Sequence, residues 1–393
     1  MSDARRRRDG PPAILSHGFR PFFLAGALWA VVAVMLWLPQ YFGELTFVGA
    51  FQPMDWHAHE ALFGYGGAVV AGFLLTAVPN WTGRLPLRGW PLLALLLVWL
   101  AGRAAVALSG VIGWALAALV DCAFLVMLCA AVAREIAAGK NWRNFRVLGA
   151  VAALALANVV FHVEAHVAGE AVYGRRLALA AIVGLILLIG GRIVPSFTHT
   201  YLQRRGAGRL PEKFGRFDGL CMAASVAALA GWVAAPDNKV IGVALIGVGL
   251  LNVARLGRWA GERARDDALV LVLHVAFAFI PLGFVLSGLA ALVPGLSPSA
   301  GVHAWAVGGI GGMTLAVMTR ASLGHTGRAL RAGPGTQALY VLVGLAAIAR
   351  IAAALAPDWS FVLLHVAAFA WLAAFLGFVV LYGPALLRPR LKA

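Results

Sequence analysis

WHAHEALFGYGGAVVAGFLLTAVPNWTGR, residues 56–84, opens on two histidines and an acid, continues through apolar and small residues, and closes on Asn, Thr and Arg. The apolar part, 57–79, has the ~20 residues that a helix needs to cross a hydrocarbon core. A segment surrounded by lipid must satisfy its own backbone, so it folds as a helix. Working outward from it, further runs of this kind fall at 20–39, 91–109, 112–133, 147–167, 177–200, 217–235, 240–257, 268–291, 301–320, 336–355 and 360–384. The reading is an all-α polytopic membrane protein with twelve transmembrane helices.

Composition agrees. Of 393 residues, 62% are hydrophobic and 12% charged, against about a quarter charged in a soluble domain. The formal charge of +16 raises nucleic acid as a partner, but the basic residues sit in short loops between apolar runs and do not gather on one face among aromatics. No nucleic-acid partner is expected. The pattern instead reads as orientation, since cytoplasmic loops are enriched in Lys and Arg. With the N-terminus inside, only Arg175, Arg176 and Lys239 fall outside and only Arg103, Arg192 and Arg350 within helices. Both termini are therefore expected in the cytoplasm. The organisation is a basic N-terminus over 1–19, one twelve-helix domain over 20–384 and a basic tail over 385–393. Arg5 to Arg8 precede the first run with no small-residue cleavage site after it, so that run reads as a retained helix. Cys122, Cys129 and Cys221 lie inside apolar runs without paired spacing and read as buried thiols.

The second, sixth and tenth runs are Gly-rich and end in LLTAVPNWTGR, GGRIVPSFTHT and LAVMTRASLGHTGR. That four-helix interval hints at three pseudo-symmetric four-helix units, although Gly is common wherever membrane helices pack closely.

Ionisable groups at membrane depth are costly and mark function by default. His57, His59, His162, His166, His303 and His365 fall near the outer face in this topology, whereas His17, His199, His274 and His325 lie toward the cytoplasm. His162 and His166 are four apart and share an α-helical face. His57 and Glu60 are three apart and do so too, with His59 turned away. Imidazoles with almost no available thiolate favour haem, copper or non-haem iron over a cysteine-type zinc site. Arg103 and Arg350, in the outer third of their helices, are placed to meet haem propionates; contacts between helices or with headgroups are the other reading of all these residues. Arg192 needs a partner, with Asp218, Glu212 or the carbonyl end of a neighbouring helix as candidates. Asp121 is the main acid that falls away from loops and helix ends. GHTGR (324–328) and NWTGR (80–84) read as an anion site or, more simply, as helix caps.

HGFRPFF (17–23), WHAHE (56–60), GFLLTAVPNWTGR (72–84), GRIVPSFT (191–198) and LGHTGR (323–328) together resemble the NnrS family, with Ala61 where the family commonly has Met. The resemblance implies a bacterial cytoplasmic-membrane protein containing haem and copper and linked to nitric oxide metabolism, denitrification and resistance to nitrosative stress. His57, His59 and His303 carry both this warrant and that of depth; His162 follows, then His274 and His325, while His166 and His365 lie outside these motifs and rest on depth and spacing. In outline the chain is also similar to haem–copper oxidase catalytic subunits, although its seventh helix has no histidine. The expected partners are the lipid bilayer, nitric oxide or a related small molecule, and an electron donor that the sequence does not name. The rival reading is a secondary transporter with a histidine- and arginine-lined substrate site.

Overall fold

A computed structural model describes residues 11–46 and 48–391, which are helical without strands. Twelve helices are long and apolar enough to cross a membrane: α1 (Phe19–Tyr41), α2 (Pro53–Thr82), α3 (Trp90–Ala107), α4 (Trp114–Ala138), α5 (Trp142–Val167), α6 (Val172–Leu202), α7 (Arg216–Ala234), α8 (Lys239–Gly257), α9 (Ala268–Leu292), α10 (Ser299–His325), α11 (Pro334–Leu355) and α12 (Pro357–Leu387). Each predicted apolar run corresponds to one of them. The longest exceed their runs because polar ends stay helical: α2 begins at Pro53, whose fixed φ suits a first turn.

The chain divides into two compact units. One takes α1 to α5 with Ala321–Ala329 and the chain from Val379; the other takes Ala171–Arg320 and Leu330–Phe378. In the first, α2 packs on α1 and α4, α3 on α4, and α4 on α5. The apolar window of α2 is 78% buried within the protein, against 33% for α4. Polar residues on α2 therefore face protein, where partners exist, and not lipid. In the second unit α8 and α9 pack most closely, because a Cβ on Gly242 would come within 2.9 Å of Ala291 Cβ and 3.0 Å of Gly288 O.

Among the described residues, two helices carry a π turn. Glu60–Gly66 in α2 and Ala304–Gly311 in α10 are π-helical, each directly after a histidine. A π turn re-phases every later side chain relative to the α count and recurs at functional sites.

Candidate metal centre

The π turn of α2 builds the most polar buried group of the first unit. At the junction between α-helical Pro53–His59 and the wider turn, His59 and Glu60 both lie inside the bundle, where each has no exposed surface. Gly64, within the turn, makes room: a Cβ there would meet Trp29 Nε1 at 2.5 Å, Glu60 Oε2 at 2.7 Å and Arg103 Nη1 at 2.9 Å. Its carbonyl accepts from Trp99 Nε1 at 3.0 Å. Gly102 does the same for α3 and α4, since a Cβ would lie 2.8 Å from Asp121 Oδ1.

Into this space four further helices each contribute. Trp29 of α1 and Arg103 of α3 both donate to Glu60 Oε2 at 2.7 Å. Arg103 also donates through Nη2 to Asp121 Oδ1 of α4. Asp121 Oδ2 accepts from Asn158 Nδ2 of α5 at 2.8 Å and lies 3.1 Å from both His59 Nε2 and His162 Nε2. His59 Nδ1 reaches Glu60 Oε1 at 3.0 Å. Phe51, Phe63 and Phe161 close over the two imidazoles, with ring centroids 4.9 to 5.2 Å from that of His59. His59, Glu60, Arg103, Asp121, Asn158 and His162 are each no more than 4% exposed, while Trp29 and Phe51 are half-buried.

The hydrogen-bond chemistry sets one imidazole nitrogen among acceptors. An ionised carboxylate only accepts, so Nδ1 of His59 carries the proton given to Glu60. Nε2 then faces two acceptors, Asp121 Oδ2 and Asn158 Oδ1, each at 3.1 Å. Lone pairs at that distance repel unless a cation, whether proton or metal, lies among them. His59, Asp121 and His162 each offer an atom within 4.8 Å of the others, a spacing that a single ion can bridge. Two imidazole nitrogens and one carboxylate oxygen suit copper or non-haem iron. The histidine–carboxylate link to Glu60 is the arrangement that orients metal-bound imidazoles. A haem does not fit between these two histidines: both Nε2 atoms converge on one carboxylate oxygen, and phenyl rings cover their faces.

The other residues singled out in the sequence lie elsewhere. His57 does not share the Glu60 face; it stacks on Trp37, with centroids 4.0 Å apart at 23°. The backbone is still α-helical from His57 to Glu60, so the difference lies in what each side chain meets: Glu60 takes Arg103 and His59, His57 takes Trp37. His166 does not accompany His162 but turns outward against Trp114, 4.1 Å away at 14°. Arg103 is committed to two carboxylates. In the second unit His274 Nε2 lies 2.8 Å from Thr198 Oγ1, and His303 Nδ1 is 2.7 Å from Ser299 O. Arg350 reaches Ser299 Oγ at 3.4 Å. His325 packs on Phe19 with centroids 5.3 Å apart, and His365 Nδ1 lies 2.8 Å from Phe361 O. Arg192 is exposed, and the two expected carboxylates serve others: Asp218 meets Arg255 Nε at 3.2 Å, and Glu212 meets Arg258 at 2.7 Å. Asn158 and Trp29 carried no sequence signal. Asp121 did, as the acid farthest from any helix end.

A family model described as "NnrS protein" matches residues 13–390, nearly the whole chain. No curated protein matches it.

Proposed function

The chain belongs to the NnrS family, and from that premise we propose that it is a membrane protein of nitric oxide metabolism or nitrosative-stress resistance that holds a redox metal, copper first, on His59, Asp121 and His162. We place it in the bacterial cytoplasmic membrane with both termini inside. The observation that carries the reading is His59 Nε2, held 3.1 Å from two acceptor oxygens in a site closed to water.

Each residue has a role in this reading. Glu60 fixes the His59 tautomer so that Nε2 keeps its lone pair. Arg103 and Asn158 hold Asp121 with Oδ2 toward both imidazoles. Phe51, Phe63 and Phe161 exclude water, while an apolar gas such as nitric oxide reaches the site through lipid. A copper ion here would supply a coordination position for nitric oxide and one-electron chemistry; whether turnover follows depends on an electron donor.

The test is metal analysis of purified protein with an electron paramagnetic resonance spectrum. Copper near one per chain, lost on His59→Ala, Asp121→Asn or His162→Ala but kept on His166→Ala or His303→Ala, is the expected result. Copper content that ignores all three substitutions refutes the assignment. The transporter reading gains from the same site, because Glu60 and Asp121 are buried carboxylates of the kind that couple ions to transport. Metal-free protein whose Asp121→Asn variant loses proton-driven uptake in vesicles favours that reading.

A further inference from the structure

Away from the metal centre, the first unit carries a cluster of cations at the ends of α1, α10 and α12. The HGFR motif supplies His17, Phe19 and Arg20, and GHTGR supplies His325 and Arg328. Arg20 is 2% exposed and donates through Nη1 to the carbonyls of Ala385 (3.3 Å), Leu386 (2.8 Å) and Arg388 (2.7 Å). It thereby ties the end of α12 to the start of α1. Leu391 N donates to Thr326 O at 3.0 Å, fixing the tail against the α10 turn, where Gly327 takes a left-handed φ of 75°. His17 and His325 flank the Phe19 ring, with centroids 6.1 and 5.3 Å away.

The charges here share one sign. Burial first, then the fields of His325, Arg20, Arg390 and Arg88, hold His17 below its ordinary value. Arg328 is a charge neighbour of Arg20. Among the described residues, no carboxylate pairs with Arg20, Arg88, Arg328 or Arg390. Nearby Arg84, by contrast, is neutralised by Glu135 at 2.5 Å. Exposed arginines would suffice to orient the chain in a membrane. They do not account for guanidinium nitrogens shielded from water with nothing to donate to, and Arg20 Nε and Arg328 Nη1 are both of this kind. Unmet donors in an uncompensated positive field call for an anion.

We propose that His17, Arg20, Arg88, Arg328 and Arg390 form a binding site for a phosphate oxyanion at this end of the first unit. Arg328 and Arg88 make the direct contacts, Arg20 sets the field and the tail geometry, and the two imidazoles close the sides. The oxyanion has two sources, the headgroup of an anionic phospholipid or free phosphate. The position at helix ends suits the headgroup depth.

The experiment uses the full chain in detergent, with phosphatidylglycerol and inorganic phosphate as separate probes. Retention of lipid is read by native mass spectrometry and the phosphate effect by melting temperature. Arg328→Gln and Arg88→Gln should each weaken binding about tenfold or more, as loss of a charge-assisted hydrogen bond implies. Arg143→Gln, an exposed arginine in the first turn of α5 outside the cluster, should leave it unchanged. Arginine-dependent retention of phosphatidylglycerol that phosphate does not displace assigns the lipid; an arginine-dependent rise in melting temperature with phosphate assigns the free ion. Should Arg328→Gln fail to fold, Arg88→Gln decides alone, because Arg88 is exposed. Equal response of wild type, Arg88→Gln and Arg143→Gln to both probes overturns the proposal.

Discussion

Replacing Arg103 by Met is the sharpest test of how the buried group is held. Arg103 faces Glu60 at 2.7 Å and also donates to Asp121, and it is 4% exposed. Two unit charges about 4 Å apart attract by about 4 kcal/mol at an effective dielectric of ~20. Two such pairs give a gross attraction near twice that, offset by the cost of taking three charges out of water. Breaking a buried pair from one side typically costs about 3–5 kcal/mol, because it strands the other charge. Two carboxylates are stranded here, so the loss belongs at the upper end of that range. The assay is reversible unfolding in mixed micelles, wild type against Arg103→Met. The control is the triple variant Glu60→Met, Arg103→Met, Asp121→Met, which strands no charge, although Trp29, His59, Asn158 and His162 lose their carboxylate partners; it should recover part of the loss. Copper should also stabilise Arg103→Met more than it stabilises wild type, since a bound cation replaces the missing charge. A single variant within about 0.5 kcal/mol of wild type, or a triple variant no better than the single, refutes this account.

Gly64→Ala puts a methyl group 2.5 Å from Trp29 Nε1 and 2.7 Å from Glu60 Oε2. It should cost about 1–3 kcal/mol and reduce metal retention, whereas Gly149→Ala, whose Cβ meets nothing within 4 Å, should do neither. In the second unit, Asp218→Leu strands buried Arg255, 3.2 Å away and 1% exposed, and should cost about 3–5 kcal/mol in the same unfolding assay. Because burial and neighbouring cations lower His17, the unfolded chain takes up the proton first as pH falls. The stability His17 contributes is therefore present above about pH 6.5 and declines below it; melting temperature against pH should flatten in that window for His17→Gln.

The number and placement of the helices were legible because hydropathy over twenty residues is a sum, and local exceptions average out. The side-chain constellation was not, because it depends on rotations of single residues. Three-residue spacing joined His57 to Glu60, yet that acid meets its neighbour His59 and Arg103 instead, while His57 stacks on Trp37. Four-residue spacing does hold along regular α5, yet His166 falls past the cover of its neighbours and meets Trp114 while His162 meets Asp121. The intramembrane charge rule pointed to Asp121 and Arg103 as residues needing partners, and each proves to be the other's. The same rule pointed at Arg192, which is exposed, and passed over Arg255, which lies near the end of its predicted helix but is buried against Asp218. Depth along a helix is readable from sequence; the direction in which a residue faces depends on its neighbours.

A buried ionic network is weak evidence of stability, because well-packed apolar residues of similar volume often serve as well or better. In a bilayer the argument strengthens, since lipid exerts no pressure to keep charges and helix packing needs only small and apolar surfaces. Glu60, Arg103, Asp121, Asn158 and two histidines are thus an expensive way to hold five helices together. Stability does not explain why they converge, with three nitrogen and oxygen donors left facing one point. The triple methionine variant separates the alternatives. If it folds as firmly as wild type yet retains no copper, the network serves the ion and not the fold. If it unfolds while His59 and His162 remain in place, the charges are structural, and the metal assignment loses its main physical support.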